Sequence, residues 1–133
     1  MRINPEVETK WRDMTGEIHI PETSHCPTQI KKICENILAM YTRLDGVCPT
    51  SYNTITQLDK KIMLDYWREF DAMPNEKLSF DAFEIWFIEK ATPPELIRRS
   101  VQYLSEHHAV IIDSRVKENA MKASENFRHS VKR

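Results

Sequence analysis

Four stretches of the chain repeat apolar residues at spacings of three and four, which places their side chains on one face of an α-helix. The first stretch follows Pro27, a residue suited to a first helical turn, and stops before Gly46. Its apolar stripe consists of Ile30, Ile33, Cys34, Ile37, Leu38, Tyr41 and Leu44. The pattern predicts an amphipathic helix that contributes one face to a core.

The second stretch begins near Thr54 and is broken by Pro74 and Asn75. Thr54 and Gln57 have the spacing of a capping box, which favours a helix start at this point. The apolar stripe of this stretch consists of Ile55, Leu58, Ile62, Tyr66, Trp67 and Phe70. We therefore expect a second amphipathic helix.

Two shorter helices are predicted next, each with its own start signal. Ser79 is placed to cap a helix that carries Phe80, Phe83, Trp86 and Phe87. The sequence of residues 92–95, Thr-Pro-Pro-Glu, combines a cap, a proline in the first turn and a glutamate three residues after the cap. The helix that follows carries Leu96, Ile97, Val101 and Leu104.

The two ends of the chain have weaker patterns. Residues 1–25 predict an N-terminal arm, partly ordered, in which residues 18–20 are extended and Trp11 anchors the arm to the body. Residues 109–112 fit a short buried strand, a helix continuation or a linker. Asp113 or Ser114 is placed to cap a final helix, whose apolar positions are Val116, Ala120, Met121, Phe127 and Val131.

These elements predict an all-α single domain of four or five helices, orthogonal or bundle-like. An extended N-terminal arm covers residues 1–25, a helical core covers residues 26–112, and a basic C-terminal helix covers residues 113–133. A chain of 133 residues is long enough to bury a core without disulfides or metals. With only two glycines, it is poorly suited to a fold of many tight β-turns.

The composition predicts a small soluble protein of the cytosol. The first residues lead into polar sequence rather than the apolar core of a signal peptide, and no apolar run is long enough to span a membrane. Three cysteines without a secretion signal favour reduced thiols. The net charge of −1 gives no overall attraction to nucleic acid or to a membrane surface, and we expect no membrane partner.

Charge and aromatic residues are concentrated in the middle of the chain. Residues 65–89 hold seven acidic and two basic residues, a net charge of −5, and seven of the twelve aromatic residues lie between Tyr66 and Phe87. The aromatic residues fit either a core or a partner-binding hot spot beside the acids. The hot-spot interpretation predicts a non-enzymatic adaptor, assembly subunit or regulator that binds a protein partner or itself. Its candidate contact residues are Trp67, Asp71, Glu76, Glu84, Trp86 and Phe87.

The end of the chain has the opposite charge. Residues 114–133 hold six basic and two acidic residues, a net charge of +4. A basic helix can follow the phosphates of nucleic acid, so the alternative function is a nucleic-acid-binding accessory protein. It would use Arg115, Lys117, Lys122, Arg128, Lys132 and Arg133. A solvated terminal helix, or one that pairs with the acidic region of a second copy in a homo-oligomer, fits the same residues.

Metal, cofactor and catalytic signatures are missing from the sequence. Residues 69–83 resemble the helix–loop–helix of an EF-hand, but Met73, Glu76 and Ala82 stand where a calcium loop needs a ligand, a glycine and a glutamate. The spacings among the cysteines and His25 do not fit a structural zinc site. Since no phosphate-binding glycine loop or hydrolase motif occurs either, we expect no metal, no cofactor and no enzymatic activity.

Overall fold

The computed structural model describes residues 1–22, 25–43, 54–74 and 79–112. Five helices and two short strands lie in these ranges. In chain order they are β1 (Arg2–Ile3), α1 (Pro5–Trp11), α2 (Thr28–Arg43), α3 (Ile55–Phe70), α4 (Phe80–Glu89), α5 (Pro94–Glu106) and β2 (Val110–Ile111). The predicted fold class is confirmed, since the domain is mostly α-helical and its only sheet among the described residues is the pair β1–β2.

Helix α2 lies at the centre of the domain and packs mainly against α5, which also packs against α3. The stripes predicted for these helices form the core, where Ile37 of α2, Ile62 of α3 and Leu104 of α5 are almost completely buried. Cys34 is also in this core, and its thiol contacts the carbonyl oxygen of Ser100 on α5 at 3.4 Å. Burial of these apolar faces against one another is the main force that holds the three helices together.

Of the three predicted caps that lie within the described residues, two are confirmed. The Thr54 hydroxyl accepts a hydrogen bond from the backbone N–H of Gln57 at 3.1 Å, and the Ser79 hydroxyl accepts one from Ala82 at 3.3 Å. The prediction that Thr92 caps α5 is wrong. The residue that precedes α5 is Pro93, and no side chain accepts a hydrogen bond there.

The N-terminal residues are more closely integrated into the core than the sequence indicates. Helix α1 lies within the predicted arm and was not predicted. Within the stretch 18–20 that was expected to be extended, Ile18 forms an antiparallel bridge with Arg12, and Ile18 and Ile20 are buried in the main core. The amide side chain of Asn4 accepts a hydrogen bond from Glu6 N–H and donates one to the carbonyl oxygen of His108. Asn4 therefore both caps α1 and fastens it to the end of α5.

Residues 110–111 form a strand, which decides among the three structures that the sequence allowed for this segment. Strand β2 pairs antiparallel with β1, so that Arg2 lies opposite Ile111 and Ile3 opposite Val110. Val110 and the adjacent Ala109 are buried. The basic helix predicted for residues 113–133 lies outside the described residues.

Candidate interaction surface

Helix α4 is attached to the body through an aromatic cluster at the end of α3. The rings of Trp67 and Trp86 meet edge-to-face with their centroids 5.6 Å apart, and Trp67 makes a similar contact with Phe87 at 5.7 Å. Phe83 completes the cluster against Trp86, also at 5.6 Å. Such ring pairs stabilise a protein beyond the effect of their buried area alone.

Hydrogen bonds fix the same cluster to the connection between α4 and α5. The indole N–H of Trp67 donates to the carbonyl oxygen of Thr92 at 2.9 Å, and that of Trp86 donates to the carbonyl oxygen of Asp71 at 2.7 Å. The Asp71 carboxylate in turn accepts the backbone N–H of Thr92 at 2.7 Å. Both indole groups and the Asp71 carboxylate are therefore occupied in holding the fold.

The burial of these side chains corrects part of the predicted contact set. Trp67 and Trp86 are each only 6% exposed, so a partner cannot contact them as a surface hot spot. Of the other predicted contact residues, Phe87 is partly exposed and Glu84 is exposed, whereas Glu76 lies outside the described residues. Among the described residues, the part of the predicted acidic aromatic surface that a partner could reach is therefore one side of α4.

That side of α4 exposes large apolar side chains, and we call it the α4 face. Phe80 is 77% exposed, Ile88 71% and Ile85 59%, whereas Trp86 is the one buried residue of the ten in this helix. Three exposed acidic residues lie among the apolar ones: Asp81, Glu84 and Glu89. Several large apolar side chains exposed on one helix often mark a site of association.

A pattern in the sequence indicated this exposure, although the predicted contact residues did not include Phe80, Ile85 and Ile88. Residues 84–88 are apolar almost all round the helix, although a helix of this length that packs on one side buries one face only. Phe80, Ile85 and Ile88 are therefore further candidate contact residues. The six basic residues proposed for nucleic acid all lie in residues 113–133, outside the described part of the chain.

A second candidate site surrounds His19, at a cavity of about 420 Å³ between the N-terminal residues and α2. His19 Nδ1 lies 3.2 Å from a carboxylate oxygen of the buried Glu35, while Nε2 lies 3.1 Å from Asp13 Oδ2 and 3.3 Å from Glu17 Oε2. The hydrogen bond with Glu35 is the main cause of a raised His19 pKa. An imidazolium that donates to carboxylates on both sides accounts for this arrangement, and we assign no metal ion to it.

Because its pKa is raised in the folded state, His19 stabilises the fold most when it is protonated. We expect the stability that wild type gains over a His19→Asn variant to be largest below about pH 6.5, the usual pKa of histidine. This gain should disappear as the pH rises through the higher folded-state pKa. Thermal unfolding of both proteins between pH 5 and pH 9 measures it. A Glu35→Gln variant should show a weaker pH dependence, and an unchanged one would contradict this role of Glu35.

A smaller cavity, of about 280 Å³, lies between the beginning of α3 and the end of α5. Asp59 and Arg98 line it together with apolar residues that include Ile112. Burial raises the pKa of Asp59 to about 6, although Arg98 partly opposes this effect. At neutral pH the domain therefore holds a carboxylate that it solvates poorly.

An Asp59→Asn substitution is expected to stabilise the domain above pH 6, by on the order of 2 kcal/mol, because it removes this charge. Below about pH 3 the carboxyl is protonated in both folded and unfolded chains, because this lies below the ordinary Asp pKa of about 3.9, so the gain should vanish there. Urea unfolding at pH 3 and pH 7.5 measures the difference. Equal effects at the two pH values would show that the substitution acts through packing and not through the charge.

No described helix is both long enough and apolar enough to cross a membrane. No protein-family model matches the chain, and neither the curated proteins nor the solved structures contain a significant match.

Proposed function

We propose that the protein is a non-enzymatic adaptor, assembly subunit or regulator that binds a protein partner on the α4 face. The observation that carries the proposal is the exposure of Phe80, Ile85 and Ile88 on one helix that is firmly anchored through Trp86. Burying a large apolar side chain is worth about 1.5–3 kcal/mol, so three of them offer substantial binding energy. A rigidly held helix also loses little conformational freedom when a partner binds.

The charges beside the apolar residues select the chemistry of the partner. Asp81, Glu84 and Glu89 are exposed on the same helix and lie close to its apolar side chains. A partner segment that combines apolar residues with lysine or arginine matches both properties, whereas an acidic one is repelled. Two copies of the α4 face would repel each other for the same reason, which disfavours direct pairing of α4 with α4.

Selection of displayed random peptides on the immobilised full chain tests the proposal. We expect the enriched peptides to be apolar and basic, and to lose at least tenfold in affinity for an Ile85→Ser/Ile88→Ser variant. Since both side chains are exposed, the variant should unfold at nearly the wild-type temperature. A Met14→Ser variant is the matched control, because Met14 is a fully exposed apolar residue outside α4. Peptides that bind all three proteins equally would refute the α4 face as the binding site.

The runner-up is nucleic-acid binding through residues 113–133, which we call the basic tail. The net charge of +4 over residues 114–133 is the observation that favours it. Fluorescence anisotropy of labelled DNA and RNA, at low and at physiological salt, tests it directly. Saturable binding with a steep salt dependence would support it, and no binding at low salt would exclude it.

A further inference from the structure

We propose that the basic tail covers the α4 face of its own chain and so acts as an intramolecular strap that competes with an outside partner. The inference rests on the proposed function, because it assumes that the α4 face is a docking surface. It names the first occupant of that surface. The charges, the apolar residues and the reach of the chain all support it.

Charge complementarity is the first support. The α4 face presents Asp81, Glu84 and Glu89, and the stretch of sequence that contains α4, residues 65–89, has a net charge of −5. The basic tail has the opposite charge, +4 over residues 114–133. Opposite charges of similar size on two parts of one chain attract each other and disfavour other arrangements.

Apolar complementarity is the second support. Residues Val116, Ala120, Phe127 and Val131 recur at spacings of four, seven and four, so that a helical tail would carry them on one side. Phe80, Ile85 and Ile88 of α4 are exposed and offer apolar surface to which such a side could dock. Covering them removes apolar surface from water, which charge pairing alone does not do.

The tail starts close enough to reach α4. Ile112 lines the cavity at the beginning of α3, beside Ile55 and Asp59, whereas Trp86 anchors α4 against Trp67 near the end of α3. The 16 residues of α3 span about 24 Å. Twenty-one residues reach about 30 Å as a helix and up to about 70 Å when extended.

The same chain is a better source of the tail than a second copy. A segment tethered by a short connection has an effective concentration of the order of millimolar at its docking site. A second copy reaches that level only in very concentrated protein. We therefore assign the strap to the same chain.

Carbodiimide cross-linking of the full-length protein tests the strap, because the reagent joins lysine directly to aspartate or glutamate. A mixture of unlabelled and ¹⁵N-labelled protein is used at micromolar concentration, and cross-linked peptides are identified by mass spectrometry. We expect Lys117, Lys122 or Lys132 to be joined to the three acids of the α4 face. These products should be several-fold more abundant than products with the exposed Glu6, Glu95 and Glu106. Both peptides of each product should carry the same isotope.

The Ile85→Ser/Ile88→Ser variant keeps all acids and lysines, so it separates docking from chance encounter. Its α4–tail products should fall at least threefold, and an unchanged yield would refute apolar docking. If the tail lysines formed cross-links with all exposed acids at similar yields, the strap would be refuted. The strap would also be refuted if about half of the cross-linked products joined one labelled and one unlabelled peptide, because such products place the tail on a second copy.

A charge-reversal variant, Lys117→Glu/Lys122→Glu, distinguishes failure of the strap from failure of the proposed function. If the strap is correct, the variant should bind the selected peptides at least threefold more tightly than wild type. If the selected peptides bind through the α4 face but no cross-links form between α4 and the tail, the strap is refuted and the proposed function stands. Products of the expected kind, with no α4-dependent peptide even for this variant, would refute the function and leave the strap standing.

Discussion

The substitution Trp86→Ala is expected to destabilise the domain by about 3–5 kcal/mol, the usual cost of removing a buried tryptophan. Trp86 is the one buried residue of α4, and its ring contacts both Trp67 and Phe83. The substitution also removes the donor that satisfies the carbonyl oxygen of Asp71. Since α4 has no other buried anchor, we expect it to detach before the rest of the domain unfolds.

Urea unfolding, followed by circular dichroism, measures the loss. Trp86→Phe keeps a ring but removes the hydrogen bond and should cost less, about 1–3 kcal/mol. Met14→Ala is the control, because Met14 is fully exposed, lies outside the α4 face, and its loss should change the stability by less than about 0.5 kcal/mol. A Trp86→Ala protein as stable as the Met14→Ala protein would show that α4 is not held through Trp86.

The second large effect is expected at Ile20, within the N-terminal residues. Ile20 is 2% exposed, and it packs in the same core as the helices α2 and α5. Ile20→Ala is expected to cost about 2–5 kcal/mol, the range for an aliphatic side chain in a packed core. An arm that lay loosely on the surface would lose far less.

Thermal and urea unfolding of Ile20→Ala should be compared with Met14→Ala, in the same segment. Met14 is fully exposed, so its loss should have almost no effect on the stability. If both substitutions had similarly small effects, the N-terminal residues would not be part of the cooperative core.

The main helices are predictable from the sequence because local patterns determine them. The stripes of α2, α3 and α5 are apolar at helical spacing, and Thr54 and Ser79 provide caps through hydrogen bonds that span only three residues. In each case the signal and the structure that it causes lie within a few residues of each other. The division of these helices into buried and exposed sides follows from the same periodicity.

Long-range pairing explains what the sequence did not predict. Strand β1 is only two residues long, and its partner β2 lies more than a hundred positions further along the chain. Thr92 has the local pattern of a helix cap, yet its backbone is held by distant residues. Its N–H donates to the Asp71 carboxylate, and its carbonyl oxygen accepts from the indole N–H of Trp67. The aromatic residues of α3 and α4 look alike in the sequence, but some are buried and others are exposed. Only the packing of the helices distinguishes the buried Trp86 from the exposed Phe80.

The pairing of β1 with β2 also sets the order in which the chain can be completed on the ribosome. Strand β1, at Arg2 and Ile3, has no partner until residues 110–111 have been synthesised. At about 5–20 residues per second, synthesis of the residues between the two strands takes roughly 5–20 s. The helical core can begin to assemble during synthesis, whereas the two-stranded sheet forms last.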